Sequence, residues 1–370
     1  MVALFFCAFV SVLFASLSLA TSADPAVALN AASQVTFVNS DWIWTPTANP
    51  NALIGLRKGF TPPVGKSLIA AEILVSVENT LALYVNGEFV GSGTEDGDWV
   101  IANRFCVDLL PSFNVFAVNG SVTNGGRGGL LVAILLTYSD GTTDTLVTDS
   151  SWRLHNGLPA GWEQPSFDDT TWTVATSEGP YQNFAAVFSP QYPPASTLNR
   201  ANWIWTTSGN IPAGTTRAFR HTFTPDPNQF PMSASILIAA DDEYTLWVNG
   251  VVVGTGTTWN IAQDYTVNFS PGTTDIVFVV QATNVRGTTA GMIMSAEISM
   301  LPTGRANCTA GSYVKSNAVT WRSTAGAIPA GFEQPNFDDS AWPLVVGKEL
   351  YGGKVYGTIS VAGPSPPVTI

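Results

Sequence analysis

One fifteen-residue segment occurs twice in this chain of 370 residues. It reads LPAGWEQPSFDDTTW over residues 158–172 and IPAGFEQPNFDDSAW over residues 328–342, and ten of its fifteen positions are identical. Trp-Ile-Trp and Val-Asn-Gly precede this repeated segment both times, in the same order and again about 160 residues apart. Such spacing indicates the tandem duplication of a whole domain rather than a short-period solenoid.

The duplication predicts the domain organisation of the chain. Module 1 is expected over residues 35–188 and module 2 over residues 198–357. Residues 189–197 are rich in proline and are predicted to form a stiff linker. Residues 358–370 combine proline with small residues, and we predict that this tail is disordered.

The N-terminus indicates a secreted protein. Residues 1–20 carry no charge, are nearly all apolar or small, and are followed by small residues that fit a cleavage site. This pattern predicts a signal peptide, with an N-terminal membrane anchor as the alternative. Glycosylation sequons at Asn119, Asn268 and Asn307 also favour an extracellular or cell-wall location.

Two cysteines remain after removal of a signal peptide, Cys106 in module 1 and Cys308 in module 2. They lie at positions that do not match between the modules. A disulfide bond between the modules and two buried free thiols are both compatible with this placement.

The composition limits the fold classes and the binding partners that are compatible with this chain. The net charge is −12 and only 11% of residues are charged, which disfavours nucleic acids and anionic membranes as partners. The 33 Gly, 24 Pro and 12 Trp residues are typical of a secreted β-rich protein with many turns. No window shows convincing helical periodicity.

Strand and turn signals alternate along both modules. Asn86-Gly87 and Asn249-Gly250 are the strongest hairpin signals, since Asn-Gly accepts the positive φ of a type I′ turn. Many short strands per module predict an all-β protein built of two tandem jelly-roll β-sandwiches. The predicted strands cover residues 71–77, 81–85, 114–118, 130–138, 235–239, 245–248, 275–281 and 291–299.

The aromatic and acidic residues of the repeated phrases are interpreted as structural. Phe167-Asp168-Asp169 and Phe337-Asp338-Asp339 are expected to cap tight turns, although paired carboxylates also suit catalysis. Tryptophans at matched positions are more often core residues than sugar-stacking ones. These are Trp42, Trp44, Trp152, Trp172, Trp203, Trp205, Trp321 and Trp342.

The loops that differ between the modules provide the candidate sugar-binding residues. Each module sets a loop tryptophan beside an Asn and an Arg, so that an indole could stack on a pyranose while polar groups select its hydroxyls. Ordinary loop packing is the alternative. The candidates are Trp99, Asn124 and Arg127 in module 1, and Trp259, Asn284 and Arg286 in module 2.

Acidic turns suggest calcium as a cofactor, because calcium needs only oxygen ligands. Solvated acidic turns are the alternative interpretation. The two histidines are not matched between the modules and no His/Cys cluster exists, so zinc is disfavoured. The candidate metal ligands are Glu95, Asp96 and Asp98 in module 1, and Asp241 and Asp242 in module 2.

The order of the phrases resembles a known family. Trp-Ile-Trp, Leu-x-Val-Asn-Gly, Gly-Gly-Leu-Leu, Thr-Asp-Ser-Ser-Trp and Phe-Asp-Asp-Thr-Thr-Trp are similar to the galactose-binding-like jelly-roll modules of α-L-rhamnosidases, some of which bind rhamnose with calcium. Module 2 departs from this pattern at residues 291–293 and 317–321. The helical catalytic barrel of those enzymes has no counterpart in this sequence. The resemblance therefore implies a non-catalytic tandem module.

These observations predict a secreted, lectin-like carbohydrate-binding protein with one sugar site per module. Rhamnose, galactose or a cell-wall polysaccharide is the expected partner. Two alternatives stay open. One is a glycoside hydrolase or polysaccharide lyase that uses Glu163 or Glu333, and the other is a structural wall or adhesion protein without a sugar site.

Overall fold

The computed structural model describes residues 35–46, 52–93, 97–122, 128–301 and 308–370, which belong to one compact unit. Within these ranges the regular structure is strand, apart from one 3₁₀-helix at Tyr181–Asn183. No helix in them is long and apolar enough to cross a membrane. The predicted signal peptide and five candidate site residues lie outside the described residues: Glu95, Asp96, Asn124, Arg127 and Asn307.

Module 1 contains twelve strands in its described residues. They are β1 (Asp41–Trp44), β2 (Leu53–Phe60), β3 (Leu68–Val77), β4 (Thr80–Val85), β5 (Glu88–Ser92), β6 (Asn103–Asp108), β7 (Asn114–Ser121), β8 (Leu130–Tyr138), β9 (Thr143–Val147), β10 (Arg153–Asn156), β11 (Thr173–Val174) and β12 (Thr176–Pro180).

The strands of module 2 follow the same order. They are β13 (Asn202–Trp205), β14 (Thr215–Phe223), β15 (Pro231–Asp241), β16 (Glu243–Val248), β17 (Val251–Gly256), β18 (Ile261–Asn268), β19 (Ile276–Asn284), β20 (Gly291–Met300), β21 (Gly311–Lys315), β22 (Arg322–Ser323) and β23 (Val346–Leu350). Two further strands, β24 (Ser360–Pro364) and β25 (Val368–Thr369), come after the predicted end of module 2.

The predicted all-β, sandwich-like fold is confirmed. All eight predicted strands are present, with ends within a few residues of those expected. Both Asn-Gly pairs turn hairpins with positive φ, 53° and 88° at Asn86-Gly87 and 46° and 82° at Asn249-Gly250. The eight repeated tryptophans are all buried, as their interpretation as core residues predicts.

Each module packs part of one large sheet against a smaller sheet. The large sheet runs in the order β12-β1-β8-β3-β6-β21-β20-β15-β18-β24, and the smaller ones are β11-β10-β2-β7-β4-β5 and β17-β16-β19-β14-β22. The main core of module 1 draws its buried residues from 43–175, and that of module 2 from 204–345. Side chains alternate between the two faces of each strand, and those on the inner faces of the two sheets of a module form its core. Each module therefore has a core of its own.

The repeated segment wraps around a buried arginine in each module. Arg57 on β2 donates to the carbonyls of Trp162, Gln164 (3.2 Å) and Phe167 (3.4 Å), and its Nε lies 2.9 Å from Asp169. Arg220 on β14 makes the same four contacts in module 2.

The first aspartate of each Asp-Asp pair caps its turn. Asp168 accepts from the backbone N–H of Thr170 at 3.0 Å, and Asp338 from that of Ser340 at 2.9 Å. The first aspartate of each pair is therefore a turn cap, as expected, whereas the second pairs with a buried arginine, which was not predicted.

Several kinds of contact join the modules. Cys106 on β6 and Cys308, just before β21, form a disulfide bond, which settles the choice that the sequence left open. Beside it, Arg104 of β6 pairs with Gly311 of β21, so that the large sheet continues from one module into the other. The buried Glu297 of β20 holds the linker, because its carboxylate accepts from the backbone N–H groups of residues 191 and 195.

Replacing both cysteines with serine is expected to lower the free energy of unfolding by about 2–5 kcal/mol, since the bond closes a loop spanning 202 residues. Differential scanning calorimetry measures the change. The wild-type protein treated with reductant is the matched control and should melt with the double variant. Equal melting temperatures for oxidised wild type and double variant would contradict a stabilising role.

The predicted disorder of residues 358–370 is wrong. β24 and β25 pair in parallel with β18. Val368 and Ile370 pack against the core of module 2. The open edge of β18 supplies backbone partners that the composition of the tail does not reveal.

Candidate functional site

Module 1 has a cavity of about 200 Å³ at the end of β1 and β3. This cavity, called the module 1 pocket, is smaller than the pockets that bind drug-sized ligands, so it suits a single small ring. Its walls combine aromatic rings, two carboxylates and two consecutive glycines. The lining residues are Trp42, Glu78, Trp99, Gly128, Gly129, Glu178 and Phe184.

Three aromatic side chains form the apolar part of the pocket. Trp42 on β1 is 4% exposed, and the ring of Trp99 meets it edge-on with centroids 5.5 Å apart. Phe184 approaches Trp42 from another direction at 6.0 Å. A Cβ at Gly129 would come within 2.7 Å of the Trp42 ring, so only glycine at this position leaves room for the indole.

Two carboxylates supply hydrogen-bond acceptors. Glu78 directly follows β3, and its backbone N–H donates to the carbonyl of Gly129 at 3.1 Å. Burial raises the pKa of Glu78. Glu178 lies exposed on β12. An apolar aromatic wall beside carboxylate acceptors can bind a ring that has one apolar face and several hydroxyl groups.

Module 2 carries the same four wall positions. The same strand pair occurs in both modules: β1 pairs with β8 at Ile43–Leu130, and β13 pairs with β20 at Ile204–Met292. The residues that directly precede these four positions therefore correspond between the modules. By this register and the hairpin order, Trp203, Asp241, Trp259 and Gly291 occupy the places of Trp42, Glu78, Trp99 and Gly129.

Tyr356 lies against these four residues in module 2. Its ring stacks on Trp203 with centroids 3.9 Å apart and planes 16° apart. Its hydroxyl donates to Asp241 Oδ2 at 3.2 Å, and Trp259 meets the ring edge-on at 5.8 Å. A Cβ at Gly291 would lie 2.8 Å from the same hydroxyl. Tyr356 is 6% exposed.

The structure places the predicted sugar-binding residues differently. Trp99 lines the module 1 pocket and Trp259 contacts Tyr356. The Arg286 side chain is 82% exposed, with Nε 3.7 Å from Asp242. Asn284 is fully buried, donates to the carbonyl of Ile211 at 3.0 Å and accepts from Gly287 N–H at 3.0 Å. The prediction that Asn284 contacts a sugar is therefore not supported, because its amide holds the loop.

Three of the predicted metal ligands, Asp98, Asp241 and Asp242, lie in the described residues. Asp98 accepts from Arg200 at 2.9 and 3.0 Å and so forms an ion pair with module 2. Asp242 accepts from the backbone N–H groups of Val285 and Arg286 at 2.8 and 3.0 Å. Among the described residues no three His, Cys, Asp or Glu side chains cluster as a metal site would require.

Two of the three sequons can be placed. Asn268 is exposed at the end of β18 and suits glycosylation. Asn119 lies half-buried on β7 between β2 and β4. Glycosylation at Asn119 stays a prediction, because its half-buried side chain stands out of the plane of the sheet.

Sequence reasoning missed most of the pocket. Trp42 was interpreted only as core because it repeats, and it is both buried and part of the wall. Glu178 and Phe184 lie after the repeated segment, and by strand register Lys348 occupies the place of Glu178 in module 2. The one available signal was Glu78, whose place after β3 matches Asp241 in module 2.

Comparisons with known proteins give sequence relatives among sugar-binding proteins. No family model matches the chain. A lectin from Pleurotus ostreatus, solved in complex with GalNAc, is 32% identical, and the match covers 89% of this chain and 97% of the lectin, with a TM-score of 0.40. The α-L-rhamnosidase of Streptomyces avermitilis is 28% identical over 166 residues.

The rhamnosidase match is partial. It covers 40% of this chain and 16% of that enzyme. The structure of the Streptomyces avermitilis α-L-rhamnosidase complexed with L-rhamnose matches at 21% identity, covering 89% of this chain and 33% of the enzyme, with a TM-score of 0.36. The predicted resemblance to rhamnosidase modules is confirmed at the level of sequence.

Proposed function

We propose that this chain, which belongs to the same family as the Pleurotus ostreatus lectin, is a secreted, non-catalytic, lectin-like carbohydrate-binding protein. The module 1 pocket is the observation that carries the proposal. Secretion rests on the predicted signal peptide and on the exposed sequon at Asn268.

The chemistry of the module 1 pocket suits one sugar ring. Trp42 and Trp99 offer apolar surface for the C–H face of a pyranose, and Glu78 and Glu178 accept hydrogen bonds from its hydroxyls. The relatives were solved with GalNAc and with L-rhamnose. A terminal galactose-type or rhamnose residue, alone or on a wall polysaccharide, is therefore the proposed ligand class.

Calcium is part of the proposal as a cofactor of module 2. Burial and the neighbouring carboxylate of Asp242 raise the pKa of Asp241. A divalent cation beside both carboxylates would remove the cost of holding two like charges together. Asp241 and Asp242 are the residues that would hold it.

A glycan-array screen of the mature protein, run with calcium and again with a chelator, tests the proposal. We expect saturable binding to glycans with a terminal galactose-type or rhamnose residue and no release of sugar. Calcium at Asp241 and Asp242 is tested separately by calorimetric titration of the mature protein with calcium, and absence of calcium binding would contradict that part of the proposal. Silence on every glycan in both conditions would contradict the proposal, and release of sugar from a polysaccharide would identify an enzyme instead.

A further inference from the structure

We propose that module 2 holds a second carbohydrate site that Tyr356 occupies and keeps closed. The inference rests on the proposed function, and it adds that the resting protein presents one open site, in module 1. A pyranose ring can therefore bind module 2 only after the side chain of Tyr356 has left the site.

The contacts of Tyr356 coincide with the walls of the module 1 pocket. In module 1, Trp42, Glu78, Trp99 and Gly129 surround an open cavity of about 200 Å³. In module 2 all four matched residues lie against Tyr356. They are Trp203, Asp241, Trp259 and Gly291. The tyrosine therefore fills the counterpart of the open cavity.

Tyr356 also makes the two interactions that a bound sugar would make. Its ring lies flat on the Trp203 indole at 3.9 Å, where the C–H face of a pyranose would stack. Its hydroxyl donates to the Asp241 carboxylate at 3.2 Å, as a sugar hydroxyl would. A ligand must replace both interactions to enter the site.

Polar contacts hold Tyr356 in place, within a loop between β23 and β24. The carboxylate of Glu349 accepts from the backbone N–H groups of Val355 (3.0 Å) and Tyr356 (2.7 Å). Gly352 N–H donates to the carbonyl of Gly357 at 3.0 Å. The side chain of Val355 is 62% exposed, whereas Tyr356 packs in an apolar cluster that also contains Trp203 and Ile359.

Among the described residues of module 1, no side chain fills the corresponding cavity. After β12 its chain forms the 3₁₀-helix Tyr181–Asn183, and Phe184 reaches only the edge of the pocket, 37% exposed. The backbone N–H of Tyr181 donates to the carbonyl of Ser40, and in module 2 the backbone N–H of Tyr351 donates to the carbonyl of Ala201. The modules therefore diverge just after this shared contact.

Isothermal titration calorimetry with GalNAc and with L-rhamnose counts the sites. We expect one site per wild-type chain and two per chain in Tyr356→Gly. Trp99→Ala should lose binding at module 1. The double variant Trp99→Ala/Tyr356→Gly should bind one ligand, at module 2. Misfolding cannot produce such a gain of binding. Two sites in the wild type, or one in a folded Tyr356→Gly chain, would overturn the inference.

Glu349→Ala provides a second variant that keeps the tyrosine and loosens its loop. It should raise the apparent affinity of module 2 in the Trp99→Ala background, because the open state becomes more populated. An unchanged affinity there would count against the plug even if Tyr356→Gly failed to fold. Absence of binding by wild type and every variant would instead refute the proposed function itself.

Discussion

Replacing Arg220 with alanine is expected to lower the melting temperature of module 2 by about 10 °C. The Arg220 side chain is 1% exposed, and its guanidinium serves three backbone carbonyls and the carboxylate of Asp339. Removing one partner of a buried charged network costs about 3–5 kcal/mol. Each kcal/mol shifts the melting temperature of a domain of this size by about 2–4 °C.

The size of this effect follows from what alanine leaves behind. The carbonyls of Phe332, Gln334 and Phe337 would lose their donor in a place that water does not reach easily. Phe337, which lies under the guanidinium at 5.4 Å, would lose its cation–π partner. The repeated segment 328–342 would then detach from β14.

Two variants separate this role from a loss of charge alone. Arg220→Lys keeps the charge without the planar fork and should fall between wild type and Arg220→Ala in calorimetry. Arg286→Ala removes an arginine that is 82% exposed and should melt with the wild type. A melting temperature for Arg220→Ala within about one degree of wild type would contradict the structural assignment of the repeated segment.

The sequence predicted the fold well because its strongest signals are local or repeated. Asn-Gly dipeptides fix hairpins through backbone φ, and repeated tryptophans reveal core positions without knowledge of their neighbours. The arginine partners of the repeated segment could not be predicted. Arg57 lies about a hundred residues before the carbonyls to which it donates hydrogen bonds, and no local sequence pattern links the two segments.

The site was harder to predict, because it depends on which side chains meet across the sandwich. Trp42 was correctly expected to be buried, yet burial did not exclude a role in the wall of a pocket. Tyr356 stands in a glycine-rich turn with no aromatic counterpart in module 1, so comparison of the two modules could not reveal it. Long-range contacts such as Tyr356 with Trp203 appear only in the folded chain.

The two loop tryptophans are expected to respond differently to replacement, although they occupy matched positions. Trp99→Ala should weaken binding of GalNAc or L-rhamnose by about tenfold or more, since Trp99 lines the open pocket. Trp259→Ala should leave the affinity of the wild-type site unchanged, because Tyr356 already covers the surface of module 2 that Trp259 borders.

A loss of stability in Trp99→Ala has to be separated from a loss of binding. Trp99 is half-buried against Trp42, with ring centroids 5.5 Å apart, so that Trp99→Ala is also expected to melt a few degrees lower. Binding is therefore measured well below both melting temperatures, and Trp99→Phe, which keeps an aromatic ring, should retain part of the affinity. Equal losses in Trp99→Ala and Trp259→Ala would mean that both modules bind in the resting protein. Wild-type affinity in Trp99→Ala would remove Trp99 from the site and leave Trp42 to carry the stacking alone.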